Sequence, residues 1–332
     1  MTDGSQAVGS IPRSRGQGTV SGATDPGGFG DRLADRVDRR RSQIVLGLDP
    51  DPVRLWPRAL ALADGAEGGP AERAARAVAA HCRLVLDAVA EQCVAVKPQV
   101  ACFERLGAPG WAALREVMRD AADRDLLVVA DGKRGDIDIS ARAYGQAFFG
   151  VTATPFGDVP GLGADALTVS PLLGRDSLVP LIEAARAHGS GVLALVRTSN
   201  PGAADIQDRE LAAGGSVSEA LARMIDELGR PGIGRHGLSD VGAVTGATAP
   251  EHLEVLRAAM PHAVCLLPGI GPQGASGRDL APAFAPGRAG GLVSASRAIV
   301  DAHERARTAD DPHICARDEA ARLRELIWGL YA

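Results

Sequence analysis

Two lysines are the residues best suited to chemistry in this chain. Of its 36 lysine and arginine residues, only Lys97 and Lys133 are lysine. Arginine stays charged and keeps its protons, whereas lysine carries a compact ammonium that can release one. Lys133 lies in Val128-Val129-Ala130-Asp131-Gly132-Lys133-Arg134-Gly135-Asp136-Ile137, where an apolar run stops in the pattern Asp-x-Lys-x-x-Asp. Lys97 ends another apolar run, 93–97. Lys97, Asp131, Lys133 and Asp136 alternate in charge, so each favours the ionised form of its oppositely charged neighbours. A lysine held as ammonium is a poor Schiff-base nucleophile, because that role needs a lowered pKa. It is suited instead to protonating a strongly basic atom, while crowded aspartates repel a substrate carboxylate. That pairing fits a decarboxylation whose carbanion is protonated at once. The competing account is a buried ion-pair network with no catalytic role.

Further groups lie at other apparent strand ends. Leu267-Pro268-Gly269-Ile270-Gly271-Pro272-Gln273-Gly274 is followed by Ser294-Ala295-Ser296-Arg297-Ala298. Glycines let backbone N–H groups approach an anion, and Ser296 with Arg297 at a helix start adds a hydroxyl, a dipole and a bidentate guanidinium. The pair reads as a phosphate site, against the alternative of a glycine-rich turn beside a surface arginine. Ser199 and Asn200, after Val196-Arg197-Thr198, offer hydrogen bonds suited to an amide edge, although Ser-Asn-Pro-Gly is also an ordinary turn. Asp49 and Asp51 could be turn residues, but Asp49 directly ends the run 44–49, which favours contact with a ligand hydroxyl. The seven histidines show no metal-ligand spacing.

The elements that must position these residues form a regular alternation. Apolar strand-like runs occur at 44–49, 93–97, 126–131, 166–170, 192–198, 241–245, 264–268 and 291–294. Helix-forming stretches fall at 31–40, 71–92, 112–124, 177–188, 216–228, 250–260 and 298–330. Eight strand–helix units predict an α/β fold, a (β/α)8 TIM barrel, with a doubly wound sheet as the competing architecture. No Gly-x-Gly-x-x-Gly follows the first strand, which counts against dinucleotide binding. In a barrel, residues at strand C-termini touch substrate, and the groups above all fall there. The stretch between the last two strands lacks helix formers and is expected to be a mobile loop. Residues 1–30 are rich in Gly, Ser, Thr and Pro and read as a disordered tail, leaving 31–332 as one barrel domain.

With 45% hydrophobic residues the chain can bury a large core, and a net charge of -5 with 3% aromatics gives no case for nucleic acid. Five scattered cysteines, odd in number, fit a reducing compartment, and no apolar run is long enough to span a bilayer. A soluble, cytoplasmic protein is expected.

Taken together, these motifs resemble the orotidine 5'-monophosphate decarboxylase family, in its longer-chain branch. The resemblance rests on Gly-Leu-Asp-Pro at 47–50, Val-Lys-Pro-Gln at 96–99 with Phe103-Glu104, and Lys-Arg-Gly-Asp-Ile at 133–137. Thr-Ser-Asn-Pro at 198–201 and Pro-Gly-Ile-Gly-x-Gln-Gly at 268–274 complete it. It implies a homodimeric barrel that turns orotidine monophosphate into UMP and CO2 in pyrimidine synthesis, with no cofactor and no metal. On this resemblance Lys133 protonates C6, Asp131 faces the departing carboxylate, and Lys97 bridges ribose and Asp131. Asp136 and Ser140 reach the neighbouring subunit's site, Ser140 standing where threonine is usual. Asp49 binds ribose, Ser199 the pyrimidine amide edge, and Gln273 and Arg297 the phosphate. Asp138 departs from the usual Gly or Pro, and glycine- and proline-rich stretches at 153–163 and 287–291 read as extended loops. Two alternatives stand beside this: a magnesium-dependent sugar-phosphate decarboxylase or aldolase of the same superfamily, and a non-catalytic barrel that binds phosphate ligands.

Overall fold

The computed structural model describes residues 27–65, 67–246, 250–269, 277–306 and 311–330. Its strands are β1 (Ile44–Leu48), β2 (Ala95–Pro98), β3 (Leu127–Arg134), β4 (Val151–Thr154), β5 (Gly157–Pro160), β6 (Ala166–Val169), β7 (Gly191–Arg197), β8 (Val241–Thr245), β9 (Cys265–Pro268) and β10 (Gly291–Ala295). Among the described residues, eight of them close into a parallel barrel in the order β1-β10-β9-β8-β7-β6-β3-β2. The eight runs read from the sequence are these eight strands.

Each barrel strand is buried on both faces, because side chains alternate at every residue. Val45, Ala95, Leu127, Val129, Ala166, Leu193, Leu266 and Leu292 form one apolar cluster with Phe29, Leu33 and Val37. Ile44, Leu46, Val96, Val128 and Leu167 belong to a second cluster, with helical Val85, Leu114 and Leu178. The first fills the barrel and the second joins it to the surrounding helices. Helix Phe29–Arg40 contributes to the inner cluster and so plugs the end where the strands begin. Phe29 lies so close to Gly191, the first residue of β7, that a Cβ there would meet the ring at 2.8 Å.

Three expectations change. β4 and β5 form an antiparallel hairpin with Val151 opposite Pro160, so half of the stretch expected as an extended loop is strand. The Thr154 hydroxyl holds its turn, accepting from Phe156 N–H at 3.1 Å and donating to the Gly157 carbonyl at 2.6 Å. Arg288–Gly290 is a 3-10 turn leading directly into β10, not an extended loop. The helix expected over 298–330 is broken into Arg297–Val300, Ala302–Arg305 and Pro312–Gly329. Proline has no N–H to donate and can only begin a helix, and Asp311 caps this start by accepting from His313 N–H. Between β9 and β10 the described residues hold no ordinary helix, only the 3-10 segments Gly277–Phe284 and Arg288–Gly290. The loop expected to be mobile falls mainly on 270–276, outside the described residues, as does most of the expected tail. No helix among the described residues is long and apolar enough to cross a membrane.

Candidate active site

Strand register brings the charged residues together. Ala95, Val129 and Ala166 all belong to the inner cluster. Two residues further along each strand stand Lys97, Asp131 and Thr168, on the same inward side and at the C-terminal mouth. Gly47 of β1 is paired with Lys97, and Gln99 forms a bridge with Asp131.

Asp131 is the hub. Its Oδ2 accepts from Lys97 Nζ at 2.6 Å and from Gln99 Nε2 at 3.2 Å. Its Oδ1 accepts from Lys133 Nζ at 2.6 Å and from the Thr168 hydroxyl at 2.8 Å. Four donors on one carboxylate use its full acceptor capacity and fix its plane. Burial alone would push this carboxyl up, but the ammonium charges of Lys97 and Lys133, with their hydrogen bonds, outweigh it and hold the group at about 2. Asp131 is therefore an anion at any physiological pH.

Lys133 occupies a backbone conformation that side chains rarely adopt, with φ of 46°. Such a residue costs about 1–3 kcal/mol and persists only where its surroundings demand it. Here a bulge demands it: pairing runs Ala130 to Leu167 and then Arg134 to Val169, so β3 carries extra residues against β6. Arg134 anchors the far side of the bulge by pairing with Glu104 and lying over the rings of Tyr144 and Phe148.

A cavity of about 250 Å³ opens beside this network, lined by Lys97, Asp131, Lys133, Thr168, Thr198, Ser199 and Asn200 on its polar side and by Leu195, Val244, Leu266 and Pro268 on its apolar side. The loop carrying Ser199 is held by Gln207, which accepts from Thr198 N–H at 2.7 Å, and by the Arg197–Asp208 pair at 2.9 Å. A second cavity of about 270 Å³ is lined by Asp49, Ser296 and Arg297 together with Asp51, Arg54, His81 and Asp301. The Ser296 hydroxyl lies 2.5 Å from Asp49 Oδ2 and 2.9 Å from the Gly47 carbonyl. Burial, and then the charge of His303, hold His81 down to about 4, so it stays a neutral acceptor for the Trp56 N–H.

Of the residues singled out by sequence, Lys97, Asp131 and Lys133 thus meet, Ser199 lines their cavity, and Asp49, Ser296 and Arg297 share the other. Asp136 does not join its own chain's network: its carboxylate accepts from Ile137 N–H at 2.8 Å and pairs with neither lysine. Ser140 lies on helix Asp138–Phe148, which begins two residues after Asp136. Gln273 falls outside the described residues. Among the described residues, no group of three or more His, Cys, Asp or Glu is placed to hold a metal ion.

Residues 42–311 match the orotidine 5'-phosphate decarboxylase / HUMPS family. The chain belongs to that family. It is 42% identical to orotidine 5'-phosphate decarboxylase of Rhodopirellula baltica over 277 residues, covering 83% of this chain and 89% of the relative. It is 40% identical to the enzyme of that name from Deinococcus radiodurans over 308 residues, covering 91% and 97%. The structure resembles that of Leishmania donovani OMP decarboxylase with a TM-score of 0.66 and 31% identity, over 92% of this chain and 99% of the other. One departure from the family's usual motif now has a structural reading: Asp138 has φ of 47°, the left-handed conformation that glycine adopts without strain and aspartate tolerates. Thr168 and Gln99, two of the four donors to Asp131, were not singled out by sequence. Gln99 was within reach of it, standing two residues past Lys97 in Val-Lys-Pro-Gln at 96–99.

Proposed function

We propose that this protein is a carboxy-lyase that converts orotidine 5'-phosphate to UMP and CO2 in pyrimidine nucleotide synthesis, without a cofactor. The observation that carries this reading is the alternating chain Lys97–Asp131–Lys133 lining a half-apolar cavity at the C-terminal mouth of a barrel of this family. The scissile bond joins C6 of the pyrimidine to its carboxylate. Asp131, already an anion, faces that carboxylate and disfavours it in the ground state. As the bond breaks, its electron pair stays on C6 and CO2 departs. The Lys133 ammonium then gives its proton to C6, and the amine regains one from solvent. A preorganised cation next to the developing carbanion needs no reorganisation at the moment of reaction, and the apolar wall of Leu195, Val244 and Leu266 keeps the interaction strong.

The remaining residues bind. Lys97 bridges ribose and Asp131, Asp49 takes a ribose hydroxyl, and Ser199 reads the amide edge of the base. Gln273, Ser296 and Arg297 hold the phosphate, and the exposed Arg297 guanidinium suits that role. These contacts lie away from C6, so their binding energy can hold the base against the charged network. Asp136 and Ser140 complete the site of a second copy in a homodimer. Ile137 and Ile139 beside them, and Leu172 and Leu173 after the neighbouring strand β6, are exposed apolar side chains that such a partner would cover. Free cysteines suit a reducing cytoplasmic compartment, the localisation that cell fractionation would test.

The test is the ultraviolet absorbance loss of orotidine 5'-phosphate in the presence of EDTA, for the wild type and Lys133→Ala. Turnover by the wild type that falls by at least about a thousandfold in the variant is expected if preorganised charge supplies most of the barrier reduction. An inert wild type that instead processes a sugar phosphate with added magnesium would overturn the reading.

A further inference from the structure

Thr168 is fully buried inside β6, one hydroxyl in a run of Ala-Leu-Thr-Val. Its oxygen accepts from the backbone N–H of Lys133 at 3.0 Å, and its proton goes to Asp131 Oδ1 at 2.8 Å. That same Oδ1 receives Lys133 Nζ at 2.6 Å. The three contacts close a ring from the lysine backbone, through the threonine and the aspartate, back to the lysine side chain.

The ring answers a specific need. Because pairing shifts between Ala130 and Arg134, Lys133 lies where β3 has left its regular ladder with β6. A buried backbone donor that leaves a ladder must find another acceptor, and the threonine oxygen supplies it. The left-handed φ of 46° at Lys133 has no support from glycine-like freedom, so it depends on this anchor. The oxygen accepts through one of its lone pairs, and the hydroxyl's single proton is donated to Asp131.

We propose that Thr168 is a positioning residue for the proton donor, tying the left-handed backbone of Lys133 to the carboxylate that pairs with its ammonium. This rests on the decarboxylase reading, with Lys133 as the donor. Thr168 does not touch the reacting atoms in this account. It sets where Nζ stands relative to C6, so its loss should reduce turnover and leave substrate affinity almost unchanged.

The experiment compares wild type, Thr168→Val and Thr168→Ser by orotidine 5'-phosphate kinetics and by hydrogen exchange of the Lys133 amide. Valine keeps the shape and removes the hydroxyl, whereas serine keeps it. In Thr168→Val, kcat falls by up to about 100-fold, the loss that a misplacement near 1 Å can cause, while KM stays within about threefold. Exchange at Lys133 accelerates in Thr168→Val, and Thr168→Ser restores both readouts. Wild-type kcat in the valine variant, or a serine variant as slow as valine, overturns the proposal. Unchanged exchange at Lys133 in Thr168→Val also overturns it, with no need of turnover. If the wild type fails to decarboxylate while the exchange responds as described, the decarboxylase reading falls and the backbone coupling is upheld.

Discussion

At the scale of single residues, Asp131 ties the stability of the fold to the proposed chemistry. Its folded carboxyl titrates at about 2, against an ordinary 3.8. A depressed carboxyl pKa contributes stability above the unfolded value and loses it as pH falls through the folded one. The contribution of Asp131 should therefore be complete above about pH 5 and gone near pH 2, and its size is on the order of 2 kcal/mol. Asp131→Asn removes it and leaves two ammonium groups facing an amide, so the variant should be less stable by at least that amount at pH 7. Urea unfolding from pH 7 down to pH 3 checks this. The gap between wild type and variant should narrow as the pH drops, and a constant gap would show that the ion pairs are not its source. The charged network was legible in the sequence because lysine is so rare here that two of them at strand ends drew notice. Thr168 was not, since one threonine in a buried strand has no pattern of its own. Its inward direction follows from Ala166 and the register of β3 against β6, which only the fold supplies.

At the scale of elements, strands were legible and their ornaments were not. Buried barrel strands are unbroken apolar runs that β-branched residues favour, and all eight stood out. The hairpin of β4 and β5 did not, because Val151–Thr154 and Gly157–Pro160 are mostly exposed and rich in Thr, Gly and Pro, and so lack a buried face to give them a period. The loop after β7 shows how one element holds another in a way that sequence hides. A Cβ on Gly246, after β8, would stand 2.7 Å from Ser199 Cα and 2.9 Å from Ser199 N. These are backbone atoms, so no rotamer change can make room. Gly246→Ala should displace the loop, lose about 1–3 kcal/mol of stability from overpacking, and weaken UMP binding about tenfold, the equivalent of one hydrogen bond. Calorimetric titration with UMP measures it, and unchanged affinity would remove Ser199 from the base-binding account.

At the scale of the molecule, one chain supplies three members of the alternating charge set and directs the fourth elsewhere. Asp136 follows Lys133 by three residues, yet it turns out to its own Ile137 N–H on a lip carrying exposed Ile137 and Ile139. An acidic side chain on an apolar rim has a purpose if a second copy covers the rim and places that carboxylate at the neighbour's Lys133. Closed twofold assembly then makes each site from two chains. Lys133→Ala and Asp136→Ala should each be nearly inactive alone. Mixed, dissociated in mild urea and allowed to reassociate, they should form hybrid dimers in which one of two sites has both residues intact. With random pairing half of the dimers are hybrids, so roughly a quarter of wild-type activity should return. Wild type carried through the same treatment sets the reference. Absence of any recovery, with the reference restored, would place Asp136 in its own chain's site or outside catalysis.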